Sequence, residues 1–207
     1  GARAAPGDED EAAPAPYPGL ASFSERDAPS FLGREAEVAS LWSRIRERRL
    51  LAVIGPSGTG KTSFVRAGVV PSRPAGWAAV VTTPGTAPLT MLGQALAPHL
   101  ASDAEALRLL LRFDDPDVAF EAVARWRRLG ARALLVVDQL EELFTLNPPS
   151  AQAAFARLLG RLAAEADVHV LVALRDDFLM RCQELEALAP VFSELTPLGP
   201  LAGAALR

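Results

Sequence analysis

Gly55-Pro56-Ser57-Gly58-Thr59-Gly60-Lys61-Thr62 is the stretch on which the reading of this 207-residue chain turns. It satisfies G-x-x-x-x-G-K-[ST], the pattern of a loop that holds a nucleoside triphosphate. The apolar run Leu50-Leu51-Ala52-Val53-Ile54 before it reads as a strand, and Thr62-Ser63-Phe64-Val65-Arg66-Ala67 after it as a helix. The loop's mechanics need that setting, because the glycines let successive N–H groups turn inward around phosphates at a helix start. Lys61 would place a point charge at the β and γ phosphates, and Thr62 would offer its hydroxyl to Mg²⁺. The candidate nucleotide-binding residues of the loop are Gly55, Ser57, Gly58, Thr59, Gly60, Lys61, Thr62 and Ser63. An ordinary glycine-rich turn is the competing reading, and both the fixed positions and the flanking context count against it.

Half of the residues are hydrophobic, which in a chain of this length suffices for one large domain with a substantial core. The net charge of −4 argues against a nucleic-acid surface, which needs a basic face. Cys182 is the single cysteine and cannot close an internal disulfide, and His99 and His169 do not complete a zinc site, so a reducing cytoplasm fits. No apolar run reaches the ~18–20 residues of a membrane span, and the N-terminus lacks a basic-then-apolar leader. The missing initiator Met and the ending at Leu206-Arg207 lead us to expect a longer parent protein.

Residues 1–19, rich in Ala and Pro around Asp8-Glu9-Asp10-Glu11, read as an acidic linker that cannot bury enough apolar surface to order itself. Residues 20–207 read as the domain. Val38, Leu41, Trp42 and Ile45 fall at helical spacing between Glu35 and Arg48, and the arginines of that helix read as a solvated face. Trp77–Thr82 reads as the second strand, 89–100 and 103–113 as helices, and Pro116 and Gly130 bracket another. Arg132-Ala133-Leu134-Leu135-Val136-Val137-Asp138 is a strand of the continuously apolar kind that is covered on both faces. A helix over 151–166, a strand over 168–174 ending in Arg175, a helix over 178–188 and a strand over 192–198 complete the alternation. The expected fold is α/β: three layers around a mainly parallel five-stranded sheet, with helices on both faces.

Ligands of open α/β sheets lie beyond the carboxyl ends of the strands, so Asp138 would face the Mg²⁺ held by Thr62. Capping a helix is the alternative duty for such an Asp. Hydrolysis also needs a group to orient or deprotonate water, and the position after Asp138, where a glutamate often serves, is Gln139. Glu141 and Glu142 are the nearest acids and the candidates for that task, although acids at a helix start are also ordinary. Arg175 would point at the same edge and read the γ-phosphate, the alternative being a local pair with Asp176 or Asp177.

Taken together, these residues resemble the STAND class of signalling P-loop NTPases, in its bacterial novel STAND branch. The likeness rests on Tyr17-Pro18-Gly19-Leu20 with Phe23, on Phe31-Leu32-Gly33-Arg34-Glu35-Ala36-Glu37, on Gly55 to Ser63, on Val136 to Phe144, and on Ala173-Leu174-Arg175-Asp176-Asp177-Phe178-Leu179. The resemblance implies that Phe31, Leu32, Gly33 and Arg34 contact the adenine and ribose side of the nucleotide and that Arg175 is the first sensor. It also implies an ATP/ADP switch with slow hydrolysis, self-association in the ATP state, and effector and repeat-sensor domains on the parent chain. The class usually continues into helical and winged-helix portions, before which this sequence ends. A fast AAA+ or transporter-type ATPase, a small-molecule kinase and a module that no longer uses nucleotide are the readings set against it.

Overall fold

The computed structural model describes residues 33–199. The expected linker, the Tyr17–Phe23 motif, Phe31 and Leu32 lie outside that range. The strands are β1 (Leu50–Gly55), β2 (Trp77–Thr82), β3 (Arg132–Val137), β4 (Val168–Arg175) and β5 (Leu195–Pro197). They form one sheet in the order β2-β3-β4-β1-β5, and every neighbouring pair runs parallel.

Side chains alternate across a strand, so each strand divides its apolar residues between two cores. Leu51, Val53, Leu134, Val136, Leu171 and Ala173 face one side, where they meet Val38, Leu41, Trp42 and Ile45 of α1 (Glu35–Glu47) and Phe64, Val65 and Val69 after the loop. Leu50, Ala52, Leu135, Val137, Val170 and Val172 face the other. There they pack on α3 (Pro88–Leu96), α5 (Pro116–Arg128) and α7 (Pro149–Glu165), which contribute Leu92, Trp126 and Phe155 among others. This accounts for the unbroken apolar runs of the central strands and makes the three layers.

Most departures from the sequence reading have local causes. The helix expected over 89–100 stops at Leu96 and continues as a 3₁₀ turn, Ala97–His99, which contains Pro98. Asp103 caps α4 (Ala104–Leu110) by accepting from the N–H groups of Glu105 and Ala106. The helix expected over 178–188 shortens to α8 (Leu179–Gln183), followed by the 3₁₀ run Glu186–Ser193 around Pro190. The last strand keeps three residues and lies at the sheet edge, where Pro197, lacking an N–H, is tolerated. No helix among the described residues is long and apolar enough to cross a membrane.

Candidate nucleotide site at the carboxyl edge of the sheet

Insertion of β4 between β1 and β3 brings the chemistry together. Gly55 pairs in register with Arg175 and Val137 with Val172, so the loop, the end of β4 and Asp138 leave the sheet at one edge. Within the loop Gly58 (φ 79°) and Gly60 (φ 81°) adopt the left-handed conformation. A Cβ on either would meet nothing within 4 Å, so backbone angle and not crowding calls for glycine at both. Gly55 is the opposite case: a Cβ there would lie 2.5 Å from the carbonyl oxygen of Leu198.

Helix α2 begins at Lys61 (Lys61–Ser63) and winds on as a π-helical turn over Phe64–Val69. The Lys61 ammonium folds back on the loop, donating to the carbonyls of Gly55 (2.7 Å) and Pro56 (2.8 Å). Partial burial pushes its pKa below the ordinary lysine value, against the pull of Glu141, Asp176 and Asp138. Thr62 Oγ1 donates to Asp138 Oδ1 at 3.2 Å. Asp138 is 1% exposed; its Oδ1 also accepts from the Gln139 N–H (3.0 Å) and its Oδ2 from Arg66 Nε (3.0 Å).

Gln139 stands where a catalytic glutamate was sought, and its φ of 53° is a strained value for a residue with a side chain. That turn lets the Gln139 N–H return to Asp138 and the Leu140 N–H reach the Ala173 carbonyl at 2.8 Å, while the Gln139 side chain stays exposed. The helix α6 (Glu141–Leu146) then sends its first two glutamates apart. Glu141 Oε2 accepts from the Arg175 N–H (3.3 Å) at the end of β4, and Glu142 Oε2 from the Gly85 N–H (3.0 Å). Asn147 closes the second arrangement by donating to the Gly85 carbonyl.

The Arg175 guanidinium engages Asp177 through two bonds, of 3.0 and 2.6 Å, and lies over the Phe178 ring. The local pair weighed from sequence is thus the contact this conformation makes. Arg34 is 4% exposed and donates to the Gly199 carbonyl (2.6 Å) and the Thr59 carbonyl (3.3 Å), bracing the loop. The Gly33 N–H donates to the Glu35 carboxylate. The sequence reading passed over Arg66, although Thr62 and Arg66 stand four residues apart and so share a helix face. It also missed that Arg34 holds the loop's own backbone.

The donor set fits a magnesium nucleotide. A hydroxyl and a carboxylate side by side are hard oxygen ligands of the kind Mg²⁺ takes, and Lys61 with the N–H groups of a left-handed glycine loop suits phosphate. A cavity of about 590 Å³ lies elsewhere, between α1 and the segment around Pro71.

A family model described as Novel STAND NTPase 1 matches residues 16–207. A search of curated protein sequences finds no match. Among solved structures, a Walker-type ATPase of Pyrococcus abyssi superposes with a TM-score of 0.63 at 11% identity, over 86% of this chain and 56% of that one. The ORC1 protein of Aeropyrum pernix, solved in complex with DNA, gives 0.55 at 16% identity, over 87% of this chain and 49% of that one. At such identities the likeness shows the fold, that of a P-loop ATPase. The chain spans about half the length of these two proteins.

Proposed function

The chain belongs to the novel STAND NTPase 1 family, and we propose that this NTPase domain is the Mg-ATP/ADP switch of a longer signalling protein, with slow hydrolysis. The observation that carries the reading is the meeting, at one sheet edge, of the phosphate loop, the Thr62–Asp138 contact and the end of β4 at Arg175. Lys61 and the loop N–H groups would hold the phosphates, and Thr62 and Asp138 would hold Mg²⁺, which when bound neutralises charge on the phosphate oxygens. Arg34, with Phe31, Leu32 and Gly33 beside it in sequence, would set the nucleoside side of the site.

Glu141 is the better candidate for orienting water. Its carboxylate lies at the end of β4 and acts on Lys61, whereas Glu142 is spent on Gly85. Arg175 would read the γ-phosphate by exchanging the Asp177 carboxylate for a phosphate oxygen, a trade favoured by the cheapness of an exposed pair. Self-association in the ATP state, and control of an effector by a repeat sensor on the same parent chain, follow from the family reading. The net charge of −4 supports nucleotide over nucleic acid as the partner.

Light scattering of the chain with ADP, and with a non-hydrolysable ATP analogue, tests the switch, alongside steady-state turnover. A larger species with the analogue alone, and turnover below about one per second, are expected. Many turnovers per second from a monomer would favour a motor-like ATPase instead.

A further inference from the structure

Asp138 carries two kinds of contact at once. Thr62 Oγ1 and the Gln139 N–H occupy Oδ1, while Arg66 Nε lies 3.0 Å from Oδ2. The Asp138 side chain is 2% exposed and that of Arg66 26%, so the carboxylate is buried while part of its cationic partner reaches solvent. Thr62 in α2 and Arg66 in the turn that continues it are four residues apart, and both reach Asp138, so the expected metal hydroxyl and a fixed cation meet the same acid. Arg66 also falls inside the π-helical turn Phe64–Val69, where the Val70 N–H reaches back five residues to the Val65 carbonyl at 3.0 Å. π-turns of this kind are rare and cluster at functional sites.

We propose that Arg66 is a positioning residue that holds Asp138 as an internal ion pair, and that metal loading requires this pair to open. The inference rests on reading Asp138 as the metal carboxylate. A buried carboxylate without a cation is costly, so in the metal-free protein Arg66 supplies the charge. A divalent cation at Asp138 would face that guanidinium as a like charge, and the exposed rim of the Arg66 side chain gives it a way out. Metal affinity is therefore lowered by Arg66, and arrival of metal is transmitted to the π-turn and so to α1, because Trp42 Nε1 donates to the Val69 carbonyl (2.9 Å) at the end of that turn.

The test compares ADP affinity in EDTA with that in Mg²⁺, for wild type and for Arg66→Gln. Binding to wild type in EDTA, lost in Lys61→Ala, tests the nucleotide reading by itself. The ratio of the two affinities tests Arg66: it should rise about tenfold in Arg66→Gln, within the usual range of coupling between sites. An unchanged or smaller ratio overturns the inference while leaving the nucleotide reading intact, and no binding by either protein in either condition removes both. Should Arg66→Gln not fold, the Nε–H resonance of Arg66 in the wild-type protein decides. It should exchange slowly with ADP in EDTA and lose that protection with Mg²⁺ and ADP; protection that persists overturns the inference.

Discussion

The two edges of one sheet use the same residue types to opposite ends. At the amino edge, the start of every strand is tied down. Arg49 before β1 pairs with Asp167 before β4, which also takes Arg127 from α5. His169 in β4 is bound to Arg49 on one ring nitrogen and to the Arg48 carbonyl, at 2.9 Å, on the other. The His169 ring lies 4.7 Å from Trp77 at the start of β2, Trp77 lies 5.1 Å edge-on to Trp42, and Arg132 of β3 covers Trp77. Arg44 and Arg48 share Glu194 before β5. At the carboxyl edge, Lys61 rests on loop carbonyls, Arg66 on Asp138 and Arg175 on Asp177. A phosphate oxygen could take the place of the carbonyls under Lys61 or of the carboxylate under Arg175, and a metal ion at Asp138 would displace Arg66, whereas the pairs at the amino edge tie one element of the fold to another. The amino-edge pairs hold the strands together, and under the proposed function the carboxyl-edge cations exchange partners when nucleotide binds.

The sharpest break of this contrast is Trp42→Ala. It removes a buried ring, its bond to Val69 and its contact with Trp77, and should cost about 3–5 kcal/mol in denaturant unfolding. Below its melting temperature the variant should keep the wild-type affinity for ADP in EDTA, where the metal-linked contact of Trp42 with Val69 plays no part. Gly55→Ala comes next, since its Cβ would meet the Leu198 carbonyl at 2.5 Å. A loss of about 1–3 kcal/mol is expected, and here nucleotide affinity should fall as well, because the loop itself is displaced.

His169 gives a smaller effect with a pH signature. Burial, and then the Arg49 charge, hold its pKa below the ordinary 6.5, against the pull of the Arg48 carbonyl. The unfolded chain takes up that proton first, so stability from this source is full above pH ~6.5 and declines as pH falls below it. Unfolding curves between pH 5 and 7.5 should show His169→Gln with a flatter acid slope; an equal slope would remove the effect. Arg175→Ala should change stability least, by about 0.5 kcal/mol or less, because its pair is exposed. Its effect should appear instead as a reduced preference for ATP over ADP.

Much of this was legible in the residues. The phosphate loop announces itself, and the apolar runs of β1, β3 and β4 read as strands. The order of the strands in space was not legible, because periodicity gives the face of a strand and not its neighbour. Glu141 and Glu142 are adjacent in sequence and looked equivalent; their separation depends on the left-handed turn at Gln139, a conformation that residue type does not favour. Arg66 looked like one more polar residue on a helix, since its partner is 72 positions away. Arg34 reads in the sequence as a nucleoside contact, while its bonds to Thr59 and Gly199 depend on β5 ending beside the loop, which no local pattern encodes.

The most direct measurement is a calorimetric titration of ADP in Mg²⁺ into wild type, Lys61→Ala and His169→Gln. If the carboxyl edge is the nucleotide site and the amino edge is scaffold, wild type and His169→Gln will bind alike and Lys61→Ala will bind about a hundredfold more weakly. Equal affinity in all three proteins, or a loss in His169→Gln matching that in Lys61→Ala, would contradict the account.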